Sequence, residues 1–215
     1  MNVTSNRLLP SELYVPWALG SSVALLWWAV RIDRLGWAEL GLARVQARQG
    51  LRWGSVLVGL MLVLYLIGLA LPATRDLFRD DRVADLTGWQ VLFYALVRVP
   101  LGTVILEEVA FRGVLPAMLT VRLRAWIAMV ISAVAFGLWH VLPAMGIGSI
   151  NPVAEDTVGR LPVWVTVLGA VASTTVAGFW FLFLRYRTRS LLTPMLAHWA
   201  SNSLGYIFAY YAWNA

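Results

Sequence analysis

Six runs of mainly apolar residues, about Leu13 to Val30, Trp53 to Leu71, Trp89 to Met118, Trp126 to Ile147, Val163 to Leu184 and Leu191 to Trp213, alternate with short polar stretches along the chain. Each is near the 20 or so residues that a helix needs to cross a bilayer. The pattern predicts an all-α polytopic membrane bundle of about six spans. The third run is too long for one straight span, and Pro100, Gly102, Gly113 and Pro116 within it predict that it bends, tilts or breaks, giving up to eight helical pieces. Between the first two runs, Gly36 to Arg52 sets Leu40, Leu42, Val45 and Leu51 among arginines. That spacing suits either a short amphipathic helix lying on the inner leaflet or a plain polar loop.

Composition agrees with the pattern. At 60% hydrophobic and 13% charged residues over 215 positions, with a mean hydropathy of +0.72, the chain is too apolar for an ordinary soluble domain. It reads as one integral membrane domain over 1–215, with no internal repeat and no linker that would divide it, and with a chemistry-bearing core at about 89–213. Tryptophans crowd the ends of the runs, where amphipathic rings favour the interface. Met1 to Pro10 carries a single arginine, and Arg31 and Arg34 follow the first apolar run rather than precede it, so that run is expected to be a retained span and not a signal peptide.

Charge assigns sidedness. All 17 basic residues are arginine, and they cluster in alternate loops: Arg31, Arg34, Arg44, Arg48 and Arg52; Arg122 and Arg124; Arg185, Arg187 and Arg189. The intervening loops are balanced or acidic, with Asp76, Asp80, Asp81 and Asp85, then Glu155 and Asp156. Since cytoplasmic loops attract arginine, both termini are expected outside the cytoplasm. The arginines are scattered between spans rather than along a soluble face, which argues against nucleic acid as a partner. Cysteine is absent, which removes disulfides, thiolate nucleophiles and cysteine metal sites.

The chemistry lies in three patterns on three different spans. Glu107 and Glu108 stand inside the third run, where each carboxylate costs about 2.5 to 3.5 kcal/mol on insertion scales. Glu108 and Arg112, four apart, share a helix face and can pair; Glu107 lies about 100° round the helix and is the candidate proton-accepting carboxylate. In the fourth run Phe136 and His140 share a face, so that Phe136 can pack on the imidazole. In the sixth, His198 and Asn202 form one polar stripe. At about 1.5 Å per residue, Glu107, His140 and Asn202 lie roughly 16, 21 and 16 Å from the inner ends of their runs, which permits convergence at one depth. Ser132 and Ser201 are not framed by a Gly-x-Ser-x-Gly pattern, which argues against a serine nucleophile. Glu107, His140 and His198 can also be read as zinc ligands. No His-Glu-x-x-His helix is present, and Asn202 suits an oxyanion donor better than a zinc ligand, which favours a site without metal or other cofactor.

The ordered set Glu107-Glu108-x-x-x-Arg112, Phe136-x-x-x-His140 and His198-x-x-x-Asn202 on successive spans resembles the CPBP (Abi) family, which includes the type II CAAX prenyl endopeptidases and bacterial relatives linked to bacteriocin processing and immunity. The resemblance runs from about Leu101 to Asn202. It implies an intramembrane endopeptidase in which Glu107 and His140 activate a water, His198 and Asn202 form the oxyanion hole, and Glu108 with Arg112 support the site. Its implied substrate is a membrane-anchored or lipidated peptide or protein. The lack of lysine points to a bacterial plasma membrane, where prenylated substrates are not expected. A proton-coupled carrier and a non-catalytic immunity protein are the competing expectations, since buried Glu and His also build proton relays.

Overall fold

Apolar side chains on every face leave the runs little choice but helix, because only a helix satisfies its own backbone in lipid. The computed structural model describes residues 10–145, 155–156 and 159–214; Met1 to Leu9 and the expected end of the fourth run at Ile147 lie outside the described residues. Six main helices follow in order: α1 (Tyr14–Arg31), α2 (Arg44–Ala70), α3 (Gly88–Thr120), α4 (Ala125–Trp139), α5 (Val163–Thr188) and α6 (Leu192–Asn214). Short helical turns at Pro72–Arg75, Asp76–Phe78 and Asp81–Val83 link α2 to α3, and Val141–Ala144 follows α4. No strand occurs among the described residues.

Four helices, α1, α2, α3 and α5, are long and apolar enough to cross a membrane. The other two of the six expected spans are also helices, one shorter and one less apolar. α4 has only 15 residues, and α6, at 23 residues, is long enough but less apolar. Its Thr193, His198 and Ser203 are buried: α6 packs on α2 and α3, α4 on α5 and the end of α3, and α1 on α3. α3 and α6 therefore carry the centre of the bundle. α2 is the outermost, with Leu60, Val63, Leu64 and Ile67 exposed as lipid-facing side chains. It meets α6 through Gly50 and Gly54, where a Cβ at position 54 would approach Leu196 Cβ to 2.9 Å; small residues let membrane helices approach this closely.

Two boundaries differ from expectation for identifiable reasons. The segment 44–52 is neither a surface helix nor a loop but the start of α2, since its one glycine, Gly50, packs on Ser190 instead of breaking the helix. Arg185 and Arg187 belong to the last turn of α5, not to a loop, where cations favour the negative end of the helix dipole. Arg185 is buried, and its Nη2 donates to the Glu39 carbonyl at 2.7 Å. Gly41, at φ 76°, lets the chain turn against that guanidinium, and its carbonyl accepts from Leu191 N–H at 2.9 Å. These bonds hold the α1–α2 and α5–α6 connections together at one end of the bundle. At the other end Trp213 Nε1 donates to the Asp80 carbonyl at 3.0 Å.

The long third run stays a single helix of 33 residues. A π-helical stretch over Tyr94–Val104 accommodates Pro100, which has no N–H to donate, and a second covers Val109–Val114. The single α-helical turn between them is Ile105–Glu108, which carries both glutamates.

Candidate active site

Glu107 and Glu108 are both buried, at 6% and 0% exposure, and point to different neighbours as their angular separation requires. Oε1 of Glu107 accepts from Trp139 Nε1 at 2.9 Å, while its Oε2 has no hydrogen-bond partner. Oε1 of Glu108 shares a 2.8 Å hydrogen bond with His198 Nδ1 and lies 3.2 Å from Arg112 Nη1. The guanidinium nitrogens of Arg112 have no directed hydrogen bond, so the Glu108–Arg112 contact is an ion pair with its N–H groups off line. The guanidinium is held by rings instead: its carbon sits 3.7 Å from the Phe136 centroid and 5.1 Å from that of Phe181. Cation–π attraction is at its strongest when desolvated, as here.

Phe136 is the hub of this packing. It meets the His140 ring edge-on at 4.6 Å and the His198 ring at 6.2 Å. His140 Nδ1 donates to the Phe136 carbonyl at 2.8 Å; a carbonyl can only accept, so Nδ1 carries a proton and Nε2 is the ring nitrogen left outside that bond. His198 stacks on Phe181 at 5.2 Å, and its Nε2 is 3.8 Å from Glu107 Oε2. Its imidazole thus lies between the two carboxylates and is hydrogen-bonded to Glu108 alone. Two glutamates and one arginine thus share a buried cluster in which acidic groups outnumber the guanidinium, and His198 stands among them.

A cavity of about 690 Å³ reaches this cluster from the end of the bundle that carries Asp80 and Arg82. Glu107, Trp139, His140, Ser201 and Asn202 line it, whereas His198, Glu108, Arg112 and Phe136 lie behind the wall. At its outer end Arg82 Nε donates to both Asp80 oxygens at 2.9 and 3.0 Å, and these bonds raise the arginine pKa further, so the guanidinium stays charged. Neither serine has a base: Ser132 Oγ donates to the Phe111 carbonyl and Ser201 Oγ to that of His198. Among the described residues, no three His, Asp or Glu side chains form a group that could hold a metal ion.

The structure also places residues at the site that sequence patterns did not single out. Trp139 stands beside His140 in the chain and bonds Glu107; nothing in a tryptophan-rich sequence distinguishes it. Phe181, from α5, covers His198 and Arg112. Arg98 lines the cavity, and its signal was available, since it is a cation within an apolar run.

A family model described as type II CAAX prenyl endopeptidase Rce1-like matches residues 87–204, more than half of the chain and all the residues of the three patterns. No curated protein and no solved structure matches the chain.

Proposed function

Because the chain belongs to the type II CAAX prenyl endopeptidase Rce1-like family, we propose that it is an intramembrane endopeptidase that hydrolyses a membrane-anchored or lipidated peptide with a glutamate-activated water. The observation that carries this reading is Glu107: a buried carboxylate with one oxygen fixed by Trp139 and the other unpartnered, on the wall of a cavity shared with His140 and Asn202.

In this mechanism the unpartnered Oε2 of Glu107 takes a proton from water while the free Nε2 of His140 orients it. The water oxygen bonds to the scissile carbonyl carbon. Asn202 Nδ2 on the cavity wall, joined by a protonated His198 Nε2 from behind that wall, donates to the developing oxyanion. Glu107 then passes its proton to the leaving nitrogen as the C–N bond breaks, and the products are a carboxylic acid and an amine. Glu108 fixes His198 through Nδ1, and Arg112 offsets the charge of Glu108. No step calls for a metal.

The arginine-bearing connections support an orientation with both termini outside the cytoplasm, and the lack of lysine supports a bacterial plasma membrane. The cavity mouth, beside Asp80 and Arg82, then faces the outer side. Comparing the membrane proteins and their new termini in cells carrying the wild-type chain or Glu107→Gln tests the proposal. Fragments present only with the wild type are the expected result; identical profiles from equally abundant proteins overturn it.

A further inference from the structure

Besides the glutamate cluster, the cavity wall holds a cation whose role the hydrolytic mechanism does not use. Arg98 lies on α3, nine residues before Glu107, half-buried among apolar neighbours. Its guanidinium carbon is 4.7 Å from the Tyr14 ring centroid and 5.1 Å from that of Tyr94. Tyr14 is fixed in turn by a 3.0 Å hydrogen bond between its hydroxyl and that of Thr103. Asp80, the other acid of this cavity, is engaged by Arg82, and Glu107 is bonded to Trp139. Arg98 makes no ion pair among the described residues.

Charge at membrane depth is costly and is normally paired or functional. Two aromatic faces stabilise the guanidinium as a cation without occupying its N–H edge, because cation–π contacts are made to the ring face and hydrogen bonds lie in the guanidinium plane. That edge fits a carboxylate with two parallel bonds. Nine residues of helix, at no more than about 1.5 Å each, separate Arg98 from Glu107 by at most about 13 Å along the axis, a span that about four residues of extended peptide cover at roughly 3.3 Å each. We propose that Arg98, clasped by Tyr14 and Tyr94, is an anion subsite that binds a carboxylate of the peptide substrate about four residues from the scissile bond. This rests on the proteolytic reading of the cavity.

Binding to catalytically silenced protein separates the two ideas. Full-length Glu107→Gln protein in detergent micelles is titrated with N-dodecanoyl, C-terminally amidated heptapeptides in which a single Glu is moved along the chain, each with a Gln twin. One Glu register is expected to bind about tenfold tighter than its twin, as a charge-assisted bidentate contact allows, and Arg98→Gln on the same background to erase the difference while leaving the Gln peptide unchanged. Should Arg98→Gln not fold, Arg98→Lys decides: selective weakening of the Glu peptide supports the subsite, and equal weakening of both, or none, overturns it. Absence of any Glu preference overturns it as well. So does Arg98-dependent binding of phosphatidylglycerol over phosphatidylcholine with no Glu preference, which makes the site one for a lipid headgroup. If the Glu peptide binds through Arg98 but the wild type never cuts it, the subsite stands and the protease reading falls; if the wild type cuts both twins equally, the reverse holds.

Discussion

Trp139 Nε1 donates to Glu107 Oε1 at 2.9 Å, across from α4 to α3. The bond removes one of the two carboxylate oxygens from play and sets the direction of the other. A wandering carboxylate would lose the geometry that proton transfer requires. Trp139→Phe keeps the ring and deletes the donor. It is expected to lower kcat about tenfold, near the net worth of one hydrogen bond, with KM little changed. Steady-state cleavage of a reporter peptide measures both, and a change in KM alone contradicts a positioning role.

Glu107→Gln preserves shape and can still accept from Trp139, but it cannot take a proton. Cleavage is expected to fall at least about 10³-fold, in the upper part of the range for loss of a general base, while the melting temperature in detergent stays within a few degrees. Full activity in a well-folded Gln variant would remove Glu107 from the chemistry.

Asn202 lines the cavity on the α6 side. Removing one oxyanion donor costs about 10²- to 10³-fold in turnover. Asn202→Ala is expected to show that loss in kcat, and a loss confined to KM would assign Asn202 to ground-state binding instead. The same assay decides the metal question: activity is expected to survive chelator treatment, and loss restored by added zinc would replace the water-activation scheme.

Glu108 and Arg112 are fully buried partners at 3.2 Å. Breaking such a pair leaves an uncompensated charge worth about 3 to 5 kcal/mol. Glu108→Leu and Arg112→Met are each expected to lower thermal stability sharply, and the double variant to recover much of it. Additive losses in the double variant would show that each residue is held by other neighbours and not by its partner.

Gly137 sits where α4 crosses α5. A Cβ there would approach the Val171 carbonyl oxygen to 2.7 Å and run into the Thr175 hydroxyl. A backbone oxygen cannot swing aside, so Gly137→Ala is expected to push the helices apart and to destabilise by about 1 to 3 kcal/mol, displacing Trp139 and His140 with it. Parallel loss of melting temperature and activity is the expected signature; an unchanged melting temperature would mean that α4 can shift freely.

The apolar runs determined by themselves that the chain folds as membrane helices, because in lipid no other open-ended element satisfies its backbone. The ordered polar residues inside those runs marked Glu107, Glu108, Arg112, His140, His198 and Asn202, since charge and imidazole are too costly there to be incidental. Helical spacing put Phe136 beside His140 and Glu108 beside Arg112, local relations that sequence separation encodes. What tertiary packing decided was which side of the cavity wall each group occupies. His198 and Asn202 share a helix stripe, yet only Asn202 lines the cavity, because Phe181 of α5 stacks on the imidazole and Glu108 of α3 holds its Nδ1. Trp139, Phe181 and Arg98 gained their places in the same way, from helices far apart in the chain. The start of α2 was likewise set by a neighbour, since Gly50 packs on Ser190 within a continuous helix, whereas the π turns around Pro100 follow locally from its missing N–H.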